Sequence, residues 1–396
     1  MKTKCEILVC GGGIAGLLAA NIFASKNYKV ICVDPSDLLS TVDQSDTDFR
    51  STAFLQPSIE LLQDANIWRN LLPFATPLKI MRIIDAGGPD GRPRTVKEFD
   101  SSEISEKPFG WNLQNHKIRH ELYAKLQSLP NVEIRHDQKL VKILTRTTQA
   151  RAYVSDGTVI DAQLILGADG RNSFIRNTLG INSKTQTSGQ KALVFTINHT
   201  RPHKNISTEI HMSGGPFTFV PLQDFNKTPC SAVVWMEQDG HAAELLKLSK
   251  EKFEIAATQR SCGILGNITL VSNRSIWPII TQVAEKFCAE RVALIGEAAH
   301  VIPPIGAQGL NMSLADIGLL SELSDKHDLG NHNMLKEYNR KRRISVNIRA
   351  KGISLLNSVS MSETQWIKDL RNSGLGVIYD SVPIRKKIMQ LGVKSL

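Results

Sequence analysis

Hydrophobic and polar positions divide this chain into three kinds of pattern. Near the N-terminus, residues 5–10 form a strand pattern around the short apolar run Ile7 to Val9. Leu17, Leu18, Ala19, Ala20, Ile22 and Phe23 follow at helical spacing, and Lys29 to Val33 is a second strand, apolar from Val30. Such runs read as buried strands and the periodic stretch between them as a helix, so the chain opens with a βαβ unit. A helix opened by Pro57 carries Ile59, Leu61 and Leu62, and another from Asn115 repeats Ile118, Leu122 and Leu126. Short strands are predicted at 132–134, 141–144 and 152–154. Asp156-Gly157 makes a hairpin turn into 159–160, and 164–166 is the next buried strand.

Residues 184–270 change character. Stretches 194–197, 209–212, 217–220 and 232–236 alternate or run apolar, as strands of an antiparallel sheet do. Residues 76–113, with turn signals at Gly87-Gly88-Pro89 and Asp90-Gly91, read as excursion strands outside the nucleotide core, and the polar stretch 40–48 as a loop. After Trp277-Pro278 the first pattern returns in the apolar run 292–295, which stops at Gly296. Pro303 and Pro304 forbid a helix through the next segment, and Leu310, Leu314 and Ile317 suggest one from about Asn311. Residues 335–396 read as mainly helical, with Leu355, Leu356, Trp366, Ile367, Leu370, Ile384, Ile388 and Leu391 among many cations. The expected architecture is α/β with a discontinuous nucleotide-binding domain at 1–75, 114–183 and 271–335. A substrate-covering domain takes 76–113 and 184–270, and a helical segment takes 336–396.

Length is compatible with this division, since 396 residues can hold two domains. The six cysteines show no metal or redox spacing and are expected as buried thiols in a reducing compartment. No metal site is expected. Nothing at the N-terminus resembles a signal peptide and no run approaches bilayer length, so the expected location is cytoplasmic. Net charge is +10 with a pI of about 9.3. That favours phosphates, anionic lipid surfaces or nucleic acid without specificity, or is simply a solvated basic surface. Much of the excess is C-terminal, in Lys336, Arg340, Lys341, Arg342, Arg343, Arg349 and Lys351. No zinc-finger spacing or RNA-binding signature accompanies it, so no specific nucleic-acid partner is expected. There is no internal repeat.

Three glycine-bearing segments carry the candidate chemistry. Gly11-x-Gly13-Ile14-Ala15-Gly16 lies between strand and helix, where glycines supply a tight turn, a bare backbone against a pyrophosphate and close helix packing. Asp34 ends the second strand, where an acid can bind ribose hydroxyls. A merely tight turn is the alternative. The second segment is Gly167-Ala-Asp169-Gly170 with Ser173 and Arg176, Ser173 being placed to cap the helix that holds Arg176. Asp169 there is a functional candidate or part of a structural turn. The third is Gly296-Glu297-Ala-Ala-His300 followed by Pro303-Pro304 and Gly306-Ala-Gln308-Gly309-Leu310-Asn311. It delivers a helix N-terminus, with free N–H groups from Gly309 to Met312, toward something anionic. His300 is read as a structural histidine, with a proton carrier as the other reading. Arg50, Asn115 and Arg119 lie beside these segments; Arg50 either faces solvent or contacts an anion.

In order and spacing the three segments resemble the single-component flavin aromatic hydroxylases, and within them the ubiquinone-biosynthesis hydroxylases. The likeness runs along nearly the whole chain, including Arg50-Ser-Thr-Ala53 and the C-terminal helices. It implies a Rossmann-like FAD-binding domain of the glutathione-reductase type, with an inserted antiparallel-sheet substrate domain and C-terminal helices. It further implies an FAD-dependent monooxygenase that takes electrons from NADPH or NADH, uses O2 as co-substrate and hydroxylates a phenolic ring. On this resemblance Gly11, Gly13, Ile14, Ala15 and Gly16 hold the FAD pyrophosphate and Asp34 the adenosine ribose. Arg50 and Arg119 lie near the phosphates, Asn115 near the cofactor's middle, and Asp169 serves FAD and NAD(P)H handling. Gly296, Glu297, Gly309, Leu310 and Asn311 face the ribityl chain and flavin, with Pro304, Gly306 and Gln308 lining the ring. Glu297 departs from the family's aspartate by one methylene. No side chain is assigned as catalytic, because the cofactor supplies the reactive oxygen.

The expected substrate is a polyprenylated phenolic intermediate of ubiquinone biosynthesis. Peripheral membrane contact or a ubiquinone-biosynthesis complex would accompany it, on the inner face of the membrane, and oligomeric state is left open. A hydroxylase of a small soluble aromatic, a flavin-dependent isoprenoid reductase and a non-catalytic scaffold stand as alternatives. The C-terminal helices would contact membrane, cover the core or form an oligomer contact. Apolar strands such as 217–220 are expected to wall a dry pocket.

Overall fold

A computed structural model describes residues 2–36, 50–88 and 90–393. The loop expected at 40–48 and Pro89 of the Gly87-Gly88-Pro89 turn lie outside the described residues. Lys2–Cys10 is the middle strand of a parallel set, pairing with Val159–Gly167 on one side and Val30–Val33 on the other. Val132–Arg135 and Val292–Leu294 extend the set outward. All four residues of Val30–Val33 and the Ile7, Leu8 and Val9 side chains are buried, as a sheet covered on both faces requires. Helices Ile14–Ser25, Asn115–Gln127 and Gln308–Ser324 share this core through Leu17, Ile118 and Ile317. The expected α/β class and Rossmann-like βαβ opening are what the chain adopts.

The second unit is a nine-stranded sheet with Ser183–His199 and Thr228–Gln238 paired at its centre. It is antiparallel except where Ile206–His211 runs parallel to Ile80–Asp85, a pairing across widely separated sequence that strand pattern alone does not reveal. Its own core gathers Phe195, Phe217, Phe219, Trp235 and Phe253. A small third sheet joins Ser51–Leu55, Thr76–Leu78 and Gly110–Gln114.

Three expectations are corrected. Residues 159–160 and 164–166 belong to one strand, Val159–Gly167. Asp161, which lies between the two runs, is buried within it because Arg151 and Lys2 neutralise its carboxylate at 2.6 and 3.1 Å. Hydrogen bonding from Arg151 leads in holding its pKa down to about 2. Next, the return to the nucleotide core comes later than residue 271, because Ser275–Ala284 pairs with Ser183–His199 in the nine-stranded sheet. Finally, the helix expected from about Asn311 begins at Gln308, after Gly306 and Ala307 turn the chain with φ of 64° and 56°.

The last three helices are His332–Met361, Gln365–Asp380 and Val382–Val393. Among the described residues no helix is long and apolar enough to cross a membrane. All six cysteines are free thiols, and no group of metal-ligating side chains is present among the described residues.

Candidate cofactor site

The three glycine segments meet above the C-terminal edge of the parallel strands, and specific contacts bring them there. Gly11 has φ 115°, and a Cβ on it would lie 2.3 Å from the Ala168 carbonyl oxygen, so only glycine lets the first segment touch the second. A Cβ on Gly16 would lie 1.8 Å from the Gly11 carbonyl oxygen, which fixes the tight start of helix Ile14–Ser25. The third segment arrives on the same helix: a Cβ on Gly296 would come within 3.2 Å of both Ala15 Cβ and Ser313 Oγ. Arg176, only 4% exposed, donates to the Ala298 carbonyl at 2.9 Å and ties the second segment to the third. Sequence reasoning placed Arg176 no further than its capped helix. Its helical position beside a motif gave no sign of a bond reaching 122 residues along the chain.

Between the first two segments lies a cavity of about 440 Å³ lined by Gly11, Gly13, Asp34, Leu140, Asp169 and Phe174. Gly13 is the N-cap of its helix and brings no capping side chain, so the first-turn N–H groups have none to satisfy them. Asp34 accepts from the Gly12 N–H and from Ser36 N at 2.8 Å, which fixes its carboxylate at the turn. Asp169 accepts from Ser173 Oγ at 2.5 Å and from Ile175 N at 3.0 Å, while Ser173 caps Arg176 N as expected. Asp169 thus has a structural role, and it also lines the cavity.

At the other end, Gln308–Ser324 starts after Ala307, which brings no capping side chain, so the N–H groups of Gln308, Gly309 and Leu310 have no partner within the helix. Those of Asn311 and Met312, expected among the free donors, fall inside the helix. The Asn311 side chain is buried as a pin. It accepts from Leu55 N at 2.9 Å and Ser58 Oγ at 2.7 Å, and donates to the Ala53 and Ala307 carbonyls. Glu297 is exposed beside this helix start and forms no ion pair with a described residue. Arg50 stacks its guanidinium 4.8 Å from the Trp277 ring, and Asn115 accepts from Thr52 Oγ1 at 2.8 Å. Arg119 is half-buried on the first turns of Asn115–Gln127.

His300 is structural. Its Nε2 lies 2.7 Å from Asp316, which also binds Arg342 at 2.6 Å and accepts from Gly296 N at 3.0 Å. All three side chains are almost fully buried. The cluster holds the third segment against helix Gln308–Ser324.

The model of the family described as FAD binding domain matches residues 4–348. The chain belongs to this FAD-binding family. It is 29% identical to the ubiquinone hydroxylase UbiL of Rhodospirillum rubrum, over 80% of this chain and 71% of that one. Similarity to the ubiquinone hydroxylase UbiM of Neisseria meningitidis is 27%, over 98% and 84% of the two chains. Its fold matches p-nitrophenol 4-monooxygenase PnpA of Pseudomonas putida DLL-E4 with a TM-score of 0.80, over 98% of each chain at 17% identity. The expected fold is thus confirmed as that of FAD-dependent monooxygenases.

The residues present fit FAD. Outward from Gly13 and from Gly309, no atom lies within 4 Å of where a Cβ would stand, so both backbones are bare toward the site. The two helix N-termini offer N–H donors to anionic groups, and Asp34 and Glu297 offer carboxylate acceptors to hydroxyls. A dinucleotide carrying a pyrophosphate, two polyol segments and a ring that becomes anionic on reduction needs that set. Over the site, the second sheet turns one face to the FAD-binding core. Val194, Val234 and Met236 lie on that face; in the strand 217–220, expected to wall the pocket, Thr218 and Val220 share it by pairing with Val234 and Ala232, while Phe217 and Phe219 point into the second sheet's own core. Period-two alternation in 194–197 and 232–236 carried this information, but sequence could not say which face met which domain.

Proposed function

We propose that the chain hydroxylates the phenolic ring of a polyprenylated intermediate of ubiquinone biosynthesis, with NADPH or NADH as electron donor and O2 as co-substrate. Support for the substrate class comes from UbiL and UbiM, both ubiquinone hydroxylases by name. The observation that carries the reading is the junction of Gly11 with Ala168 and of Gly296 with Ala15. It brings the two helix starts together, which supports one elongated ligand lying across both. Bound FAD supplies reductive activation of O2 and delivery of one oxygen atom. The chain's own residues bind, orient and exclude water. On this reading Gly11, Gly13, Ile14, Ala15 and Gly16 hold the pyrophosphate, with Arg50 and Arg119 close by. Asp34 takes the adenosine ribose, Asn115 lies near the cofactor's middle, and Asp169 closes the cavity. Gly296 and Glu297 take the ribityl chain. The N–H groups of Gln308, Gly309 and Leu310 stabilise negative charge on the reduced ring, with Pro304 and Gly306 lining it. Val194, Val234 and Met236 keep the oxygen-transfer space dry, which suppresses loss of the reactive oxygen to water.

A polyprenylated substrate resides in a bilayer, so the reading includes peripheral contact with the inner face of a membrane or with a ubiquinone-biosynthesis complex. The test is consumption of NAD(P)H by the FAD-loaded protein with a prenylated phenol or a water-soluble phenol, scoring hydroxylated product made under ¹⁸O2. Product labelled from the prenylated phenol is expected. Labelled product from the soluble phenol alone would move the assignment to a small aromatic, and product formed without O2 would remove the monooxygenase reading.

A further inference from the structure

Exposed apolar side chains and an excess of basic over acidic residues concentrate in the last part of the chain. Among the described residues, eleven of the nineteen exposed large hydrophobic side chains lie beyond residue 343. Residues 336–396 also hold 13 of the 48 Lys and Arg but only four of the 38 Asp and Glu. The exposed apolar side chains and 12 of these 13 cations fall on the last three helices, whose inner faces are already committed. In His332–Met361 the inner face is Met334, Tyr338, Arg342 and Ile353, all buried. Gln365–Asp380 is clasped to the second sheet by Arg371 on Asp85 at 2.8 Å, Lys97 on Asp380 at 3.0 Å and Tyr379 against Phe99. Val382–Val393 buries Met389 and Val393 and pairs Arg385 with Glu103 at 2.8 Å.

What remains outward has helical order. Ile344, Ile348 and Leu355 form one stripe, Trp366, Leu370 and Val377 a second, and Ile384, Ile388 and Leu391 a third. Each repeats at i, i+4 and either i+7 or i+11, which puts its members on one side of its helix. The first stripe has Arg340 and Lys351 in line with it, and Lys386 and Lys387 flank the third. All four of these cations are exposed, and none is in an ion pair with a described residue. Ile344, Ile348, Arg340 and Lys341 also line a groove of about 640 Å³ running to Leu61 and Leu314.

We propose that this face docks on an anionic phospholipid bilayer, with the three helices lying along the interface. Charge decides the occupant. A two-fold contact between copies would set the same patch against itself, cation facing cation, and a nucleic acid would leave the apolar stripes unused. Anionic headgroups pair with the cations while the stripes, Trp366 among them, enter the headgroup–acyl boundary. The inference concerns the surface and holds whichever phenol is the substrate.

The experiment is flotation of the full-length FAD-loaded protein with vesicles of phosphatidylcholine, with or without phosphatidylglycerol. Binding to the anionic vesicles that weakens with added salt is expected. Arg340→Gln combined with Lys351→Gln should lower it about 25-fold, two cations at roughly fivefold each. Leu355→Ser with Leu370→Ser should also lower it, with the flavin absorbance and NAD(P)H consumption on a soluble phenol unchanged. Equal binding to both vesicle types, no binding to either, or full retention of binding in both double variants overturns the proposal. A variant-sensitive dimer in light scattering without lipid binding overturns it in favour of self-association.

Discussion

Two glycines a single residue apart are under different constraints, and that difference is testable. Gly11 is held by the protein itself, at φ 115° with the Ala168 carbonyl 2.3 Å from any added Cβ. Gly13 has an ordinary φ of −67° and empty space where a Cβ would go. Gly11→Ala should therefore destabilise the FAD-free protein by about 2 kcal/mol or more, through backbone strain and the forced separation of two segments. Gly13→Ala should leave the FAD-free melting curve nearly unchanged yet weaken FAD binding at least about tenfold, by holding the pyrophosphate off the helix start. Denaturant unfolding and fluorescence titration with FAD read the two quantities separately. Gly13→Ala binding FAD like the wild type would remove the pyrophosphate from that turn. Sequence displayed both glycines through spacing and the flanking strand and helix. It could not rank them, because that depends on Ala168, which the chain reaches 157 residues later. Arg176 was opaque for the same reason: its partner is a backbone carbonyl, and a carbonyl leaves no mark in sequence.

Elements were legible where burial enforced a period and illegible where charge was neutralised inside them. The strand Val30–Val33 shows as an unbroken apolar run, but Val159–Gly167 is interrupted in sequence by Asp161, whose partners Arg151 and Lys2 are found only in three dimensions. Asp316 poses the same difficulty in helix Gln308–Ser324, where it is fully buried on the face that meets His300 and Arg342. Burial alone would push its carboxyl up, but the charges of His300 and Arg342 and their hydrogen bonds outweigh this and hold it below the ordinary 3.8. A depressed folded pKa means the carboxylate's stabilisation is complete above 3.8 and is lost as pH falls through the lower folded value. Asp316→Asn should cost about 3–5 kcal/mol near neutral pH, because it leaves Arg342 buried without its counter-charge. Urea unfolding across pH should show that deficit narrowing only below 3.8. A deficit that is constant down to strong acid would mean Asp316 is not the charge partner. Replacing both members together, Asp316→Leu with Arg342→Met, should recover much of the loss, since paired removal strands no charge.

At the scale of the molecule, one ligand joins parts of the chain that synthesis places far apart. The first helix start and the loop ending at Leu310 belong to opposite ends of the folded sequence, and Gly296 against Ala15 is where they touch. A ligand spanning both should stabilise the whole fold by mass action, by about 2.7 kcal/mol at 100 times its dissociation constant. ADP carries the pyrophosphate and adenosine of FAD without the ribityl chain and ring, so it reports on one half of the site alone. Glu297 is exposed and unpaired, and its replacement by alanine should therefore cost the FAD-free protein little. If its carboxylate takes a ribityl hydroxyl, Glu297→Ala should weaken FAD about tenfold, the worth of one charged hydrogen bond, and leave ADP within about twofold. Gly13→Ala should instead weaken both ligands together. Equal loss of FAD and ADP in Glu297→Ala would place this side chain at the pyrophosphate. The cofactor would then lie shifted along the groove, and the helix start at Gln308 would no longer face the flavin. Glu297→Asp completes the argument. The shorter acid restores the length the family usually has, so FAD affinity at or above wild type assigns the contact to the carboxylate itself, whereas a loss as large as that of alanine shows that the longer side chain has set its own geometry.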